Sequence, residues 1–154
     1  MYPLRSEFLF HITFIINQET HALGEVPLGT RRIVTITGGE FEGPRLRGKV
    51  APAPGAAWVL VRGDGVVQLH ARVTLQTDDG ALIYMHYPGL GHGPPEVMAR
   101  VNSGQAVTPE QYYFRIAPMF ETGAADYEWL NKIIAVGVGE RAAAGPKYDV
   151  YQIL

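Results

Sequence analysis

The sequence predicts an all-β protein, a single antiparallel up-and-down barrel of about eight to ten strands with one or two short helical turns. Three observations carry this. First, apolar and polar residues alternate: Val66–Thr77 does so along its whole length, and Phe8, Phe10, Ile12, Phe14 and Ile16 mark one face of another run. Second, 18 Gly and 11 Pro among 154 residues cut the chain into short segments, as turn-rich β proteins require. Third, most of these segments are separated by short turns, so consecutive strands read as hairpins. Closing the sheet removes its exposed edges, and a barrel of eight strands can hold one small ligand. A two-sheet sandwich is the competing architecture.

The elements follow in order. Glu7–Ile16 is the first strand. Asn17–Gly29 reads as a polar connection containing Gly24, Pro27 and Gly29. Arg31–Thr37 is rich in β-branched residues and forms the second strand. Gly38-Gly39 then turns or bulges the chain. Phe41–Gly43 leads through Pro44 to a strand over Leu46–Val50. Ala51–Gly55 is a loop with two prolines, and Ala57–Arg62, carrying Trp58, is a strand. Gly63-Asp64-Gly65 is a tight turn. Pro88–Pro109 reads as a long irregular stretch with a short helix over Glu96–Val101, and connections of this length often act as lids or binding loops. Gln111–Phe120 is a strand with Tyr113 and Arg115 on one face and Tyr112, Phe114 and Ile116 on the other. Asp126–Leu130 reads as one helical turn. Asn131–Arg141 and Lys147–Ile153 form a closing pair. No repeat, low-complexity tract or boundary divides the chain, so residues 1–154 read as one calycin-like barrel domain.

The hairpin Val66–Tyr87 organises the rest. In its first strand Val67, Leu69, Ala71, Val73 and Leu75 share one face; Gln68, His70, Arg72, Thr74 and Gln76 share the other. A slip of one residue exchanges the faces of the partner strand. A three-residue loop with Gly80 in the left-handed region sets Ile83 beside Leu75 and Met85 beside Val73. It also sets Arg72 opposite His86 and Thr74 opposite Tyr84. This register makes one apolar face and one face of functional groups.

Composition narrows the function. A net charge of −2 and a pI of about 6.2 argue against a nucleic-acid partner. The absence of cysteine excludes a disulfide, a thiolate nucleophile and a cysteine-ligated zinc. No apolar run approaches the roughly 18 residues of a membrane helix, and Met1–Ser6 does not read as the start of a signal peptide. The expectation is a cytoplasmic protein with no membrane and no nucleic-acid partner. An aromatic-rich sheet with few charges suggests a homodimer.

A set of ordered segments resembles one known family. They are Gly29-Thr30-Arg31, Gly38-Gly39-Glu40-Phe41-Glu42-Gly43-Pro44, Leu46-Arg47-Gly48-Lys49-Val50, Trp58, Asp64-Gly65 and Ala71-Arg72-Val73-Thr74-Leu75. Thr77-Asp78-Asp79-Gly80-Ala81-Leu82-Ile83, Tyr113-Phe114-Arg115, Phe120-Glu121-Thr122, Trp129-Leu130-Asn131 and Tyr148-Asp149-Val150-Tyr151 follow. Together they resemble the domain-of-unknown-function 3237 family, also called uncharacterised protein family 0311, over residues 7–154. The resemblance implies a β-barrel domain without an assigned activity. Two positions depart from the family pattern: Ala57 stands where an Asp precedes the tryptophan, and His70 where an acid precedes the Ala–Arg pair.

Within this frame the polar face of the central hairpin is the expected site, turned toward an enclosed interior. Arg72 and Arg115 are the leading ligand-binding residues, because a guanidinium offers a planar fork of donors to an anion or carbonyl. Thr74 and Tyr84 add hydroxyls, Trp58 and Trp129 an aromatic wall, and Asn131 an amide. Core packing is the competing role for the tryptophans, and backbone capping for Asn131. His86, Tyr84 and Glu121 are the candidates to move a proton. Gly38-Gly39 with Gly43 lacks the GxGxxG spacing, the following helix and the lysine of a nucleotide loop, and no HxH or HExxH spacing is present, so neither cofactor nor metal is expected. The reading is a barrel that binds a small organic ligand, anionic or carbonyl-bearing. The alternatives are a cofactor-free acid–base isomerase, cyclase or dehydratase of a small carbonyl compound, and a structural homo-oligomer.

Overall fold

A computed structural model describes residues 1 to 17 and 21 to 154. Its strands are β1 (Ser6–Ile16), β2 (His21–Val26), β3 (Gly29–Glu42), β4 (Arg47–Val50), β5 (Ala56–Arg62), β6 (Val67–Thr77), β7 (Leu82–His92), β8 (Tyr113–Ile116), β9 (Met119–Glu121), β10 (Ala135–Ala142) and β11 (Gly145–Ile153). Helix α1 (Pro95–Asn102) lies between β7 and β8, and 3-10 turns occupy Pro109–Gln111 and Ala125–Lys132.

The β6–β7 hairpin has the expected register. Arg72 pairs with His86, Val73 with Met85, Thr74 with Tyr84 and Leu75 with Ile83. The loop is closed by Thr77 N–H donating to the Ala81 carbonyl at 2.9 Å and Gly80 N–H donating to the Thr77 carbonyl at 2.9 Å. Gly80 has φ +91°, a conformation a side chain would penalise. From this hairpin the sheet runs β6, β5, β3, β1, β11, β10, β8, β7 and back to β6, all antiparallel, which closes an eight-stranded barrel. β4 bridges the ends of β3 and β6 beyond β5. β9 extends along β7 beyond β8, and β2 folds onto β3.

Alternation decides what fills the barrel. Phe10, Ile12 and Phe14 of β1, Val34 and Ile36 of β3, Leu69, Ala71, Val73 and Leu75 of β6, Ile83, Met85 and Tyr87 of β7, and Tyr148 and Val150 of β11 are buried together. Aromatic rings interlock across strands: Phe10 meets Phe41 and Phe120 edge-on at 5.8 and 6.0 Å, and Phe14 meets Tyr148 at 6.0 Å.

One expectation is overturned. The functional face of the central hairpin does not look inward. Leu69 and Val73 fill the middle, while Arg72 and His70 are exposed and Thr74, Tyr84, His86 and Arg115 lie half-buried on the outer wall. An eight-stranded barrel has room only for its inward side chains. Turning the β6 row around would drive Arg72 into an apolar centre and expose four apolar residues, and burial of an unpaired charge is the more expensive error.

Smaller differences have local causes. Within Asn17–Gly29, residues 18–20 lie outside the described residues, but His21–Val26 is a strand; five of its six residues are exposed, so no apolar alternation marks it. Gly38-Gly39 does not break β3, which runs through them while the pairing with β1 shifts between Ile15 and Ile16. β7 continues to His92 because Gly89 and Gly91 take inward positions where larger side chains would meet Leu69, Ile116 and Phe114. The strand foreseen over Gln111–Phe120 is interrupted at Ala117-Pro118, leaving β8 and β9.

Candidate functional site

Five of the outer-wall residues form a contiguous patch, and Arg115 stands away from it beside two shallow surface hollows. Arg72 lies over the Trp58 ring with its Cζ 5.6 Å from the centroid, and Tyr84 stacks on His86 at 5.2 Å. Glu121 pairs across from Tyr84, so Arg72, Thr74, Tyr84, His86 and Glu121 are neighbours on β6, β7 and β9. The others are apart. Arg115 donates from Nη1 to the Phe114 carbonyl at 2.9 Å and rests over Tyr113. Trp129 packs on the core with the Arg45 guanidinium 3.6 Å above it. Asn131 clips Thr122, accepting from its N–H at 2.8 Å and donating to its carbonyl at 2.9 Å, which is the backbone role weighed above. Among the described residues no three His, Cys, Asp or Glu side chains gather as a metal site would require.

The hollow lies inside, toward one end of the barrel. A cavity of about 100 Å³ is bounded by Val34, Ile36, Val59, Leu69, Phe114 and Tyr148, among others. A larger vestibule of about 550 Å³ adjoins it, formed by the end of α1 and the residues after it, Asn102 to Gln105, and by the β10–β11 turn. The two share Ile16, Arg32, Val34, Arg141 and Pro146, so both arginines stand where the vestibule meets the interior. Helix α1 borders both spaces: Met98 lines the cavity and Val101 the vestibule. The helix is secured by buried Val97 and by Arg100, which donates from Nη2 to the Ala106 carbonyl at 3.2 Å.

Glycines on β10 admit the side chains that line this space. Gly137 and Gly139 point inward between the exposed Val136 and Val138. A Cβ at Gly139 would lie 2.7 Å from Phe114 Cδ1 and 2.8 Å from Tyr148 Cε1, so the missing side chain lets those two rings occupy the barrel.

Three tyrosines supply most of the inner polarity. Tyr87 and Tyr148 are buried, with ring centroids 5.8 Å apart. Burial pushes both phenols above the ordinary tyrosine range, and for Tyr148 the neighbouring Tyr87 adds to the effect. Both are therefore neutral hydroxyls at physiological pH. The Tyr112 hydroxyl accepts from Arg141 N–H at 2.8 Å. Burial lowers the Arg141 guanidinium below its usual value, and the like charge of Arg32 lowers it further. Neither arginine has a carboxylate within ion-pair distance among the described residues.

Residues 4–153 match the family model described as a protein of unknown function, DUF3237. The chain belongs to that family. A conserved protein of unknown function from Rhodopseudomonas palustris has the same fold at a TM-score of 0.94, with 36% identity and full coverage of both chains. A β-barrel-like protein from Acinetobacter baumannii matches at a TM-score of 0.86 and 38% identity, covering 100% of this chain and 98% of that one. A UPF0311 protein of Clostridium acetobutylicum is 34% identical over 147 residues, 96% of this chain and 92% of the relative. Of the two departures from the family pattern, Ala57 lines the cavity and His70 is exposed on the outer wall. The methyl at position 57 thus leaves the cavity without the acid that the pattern would place there.

Arg32, Arg141, Tyr87, Tyr112 and Tyr148 were not among the sequence-based candidates. Strand parity contains the signal. Arg32 shares a face with Val34 and Ile36, Arg141 with Gly137 and Gly139, Tyr87 with Ile83 and Met85, and Tyr112 with Phe114 and Ile116. Each is the polar end of an inward apolar row.

Proposed function

We propose that the barrel binds a small organic molecule whose apolar body enters the interior through the vestibule beside α1. The supporting observation is an apolar cavity inside a closed barrel, reached past a wider polar opening. Ligand sites have this composition, a mostly apolar lining with a few placed polar groups. An apolar void of roughly 150 Å³ holds a benzene ring. The inner space, about 100 Å³, therefore takes a compact group, with the remainder of the ligand in the vestibule.

Acid–base catalysis gains less support. The described lining of the cavity and vestibule contains no carboxylate and no imidazole, and His86, Tyr84 and Glu121 lie on the outer wall. The buried phenols hold their protons too firmly to serve as a base near neutral pH.

Thermal-shift and calorimetric titrations with benzene, indole, cyclohexanol and pentanol test the reading. Binding is expected to raise the melting temperature with ligand concentration. Ala57→Leu, which extends a side chain from the cavity wall, is expected to abolish the shift while leaving a folded protein. Shifts that survive Ala57→Leu unchanged would place binding elsewhere, and no shift from any compound would remove the proposal.

A further inference from the structure

We infer that the ligand is a small organic acid, held by its carboxylate between Arg32 and Arg141 with its apolar end directed to Tyr87 and Tyr148. This rests on the interior binding proposed above and adds the charge and orientation of what binds.

Four ion pairs are present among the described residues, and they use Arg47, Arg62, Lys132 and His11. Arg32 and Arg141 belong to none of them, yet both line the junction of the cavity and the vestibule, where the like charge of Arg32 disfavours that of Arg141. A partly buried cation normally acquires a partner, because its desolvation is otherwise uncompensated. Arg141 is such a cation, half-buried, and the exposed Arg32 stands at the same junction of an apolar cavity and an open vestibule; no described residue gives either a carboxylate partner, so a bound anion would complete the pair.

The tyrosines point the same way. The Tyr112 oxygen already accepts from Arg141 N–H, so its own proton is left to donate. The ionisable groups in the described lining of the inner cavity are thus two guanidiniums and three phenols. They can offer hydrogen bonds and positive charge but no negative charge. An acceptor-only headgroup complements this set, and a carboxylate matches the fork geometry of arginine. The apolar lining requires that the rest of the molecule be hydrocarbon-like.

The test compares acids with their uncharged amides: pentanoate with pentanamide, benzoate with benzamide, and 4-phenylbutanoate with 4-phenylbutanamide, each titrated calorimetrically into the full-length protein at pH 7. The acids are expected to bind about ten- to a hundredfold more tightly than the amides, the range that charge-assisted hydrogen bonds supply. Arg141→Met and Arg32→Met should each erase most of that preference while leaving amide affinity within about twofold, a difference too small to reflect a lost hydrogen bond. The preference should also fall as salt rises, and as pH drops through the carboxyl's own pKa of roughly 4 to 5. Acids and amides binding equally would overturn the inference and leave the interior-binding proposal standing. A preference that persists in both variants, or in Ala57→Leu, would show that the acids bind elsewhere and would also overturn it. Binding by neither series would remove both proposals. Thermal unfolding of each variant separates lost affinity from lost structure.

Discussion

The inner and outer walls of the β6–β7 hairpin come from the same residues in the same register, and they carry different chemistry. Inside, Leu69, Ala71, Val73 and Leu75 meet Ile83, Met85 and Tyr87 in close packing. Outside, Tyr84 stacks on His86, Arg72 lies over the Trp58 ring, and Thr74 is half-buried between them on the same face. A row of functional side chains on a sheet is thus no sign of a site by itself. The groups that stand at a hollow are the polar ends of otherwise apolar rows, Arg32 and Arg141 above all.

The contrast breaks most sharply at paired positions. Phe8 and Phe10 share a face by alternation, but the pairing of β1 with β11 shifts between them, and Phe10 is fully buried while Phe8 is 38% exposed. Phe10→Ala should cost about 3–5 kcal/mol in chemical denaturation, and Phe8→Ala less than about 1 kcal/mol. Equal losses would contradict the assigned inner and outer faces. Gly139→Ala should cost about 1–3 kcal/mol, because the added methyl overlaps Phe114 and Tyr148. Gly63→Ala, where a Cβ meets nothing within 4 Å, should change stability by less than about 0.5 kcal/mol.

The arginines sharpen the comparison through the sign of the effect. Arg141→Met should stabilise the ligand-free protein by about 1 kcal/mol, since it removes a poorly solvated cation that faces Arg32. Arg72→Ala removes an exposed cation–π contact and should destabilise by about 0.5–1 kcal/mol. Urea unfolding of the two variants measures both signs.

The smallest effect is in the turns. Asp79 accepts from the Thr77 hydroxyl and from Tyr127 Oη at 3.0 Å, and these bonds hold its carboxyl below the ordinary aspartate value. The folded pKa is depressed, so the stabilisation is complete above the unfolded value of roughly 4 and is lost as pH falls through the folded value. Asp79→Asn should flatten the acid limb of the stability profile below about pH 4 relative to the wild-type protein. Matching profiles would show that Asp79 contributes nothing to that limb.

Much of the barrel was legible in the sequence because each clear strand alternates over a half-buried wall. Val67–Thr77, Ser6–Ile16 and the closing pair β10–β11 are examples. The Asp78-Asp79-Gly80 loop set its own register through Gly80. β2 escaped because its exposed residues carry no pattern, and the end of β7 because its glycines resemble a loop. The polar cluster was recognisable as a cluster on one strand face, whereas its outward direction was not. Asn131 and Trp129 showed their structural roles only once Thr122 and Arg45 were beside them.

Local sequence was sufficient for strand extents, the hairpin register and the division of each strand into two faces, since these depend on backbone periodicity and turn conformation. Tertiary structure decided which face became the interior and which polar groups met there. Closure of eight strands encloses a single apolar volume, and only the chain ends of the inward rows can reach water from it. That is why Arg32 and Arg141, far apart in sequence, face one another at the entrance to the cavity.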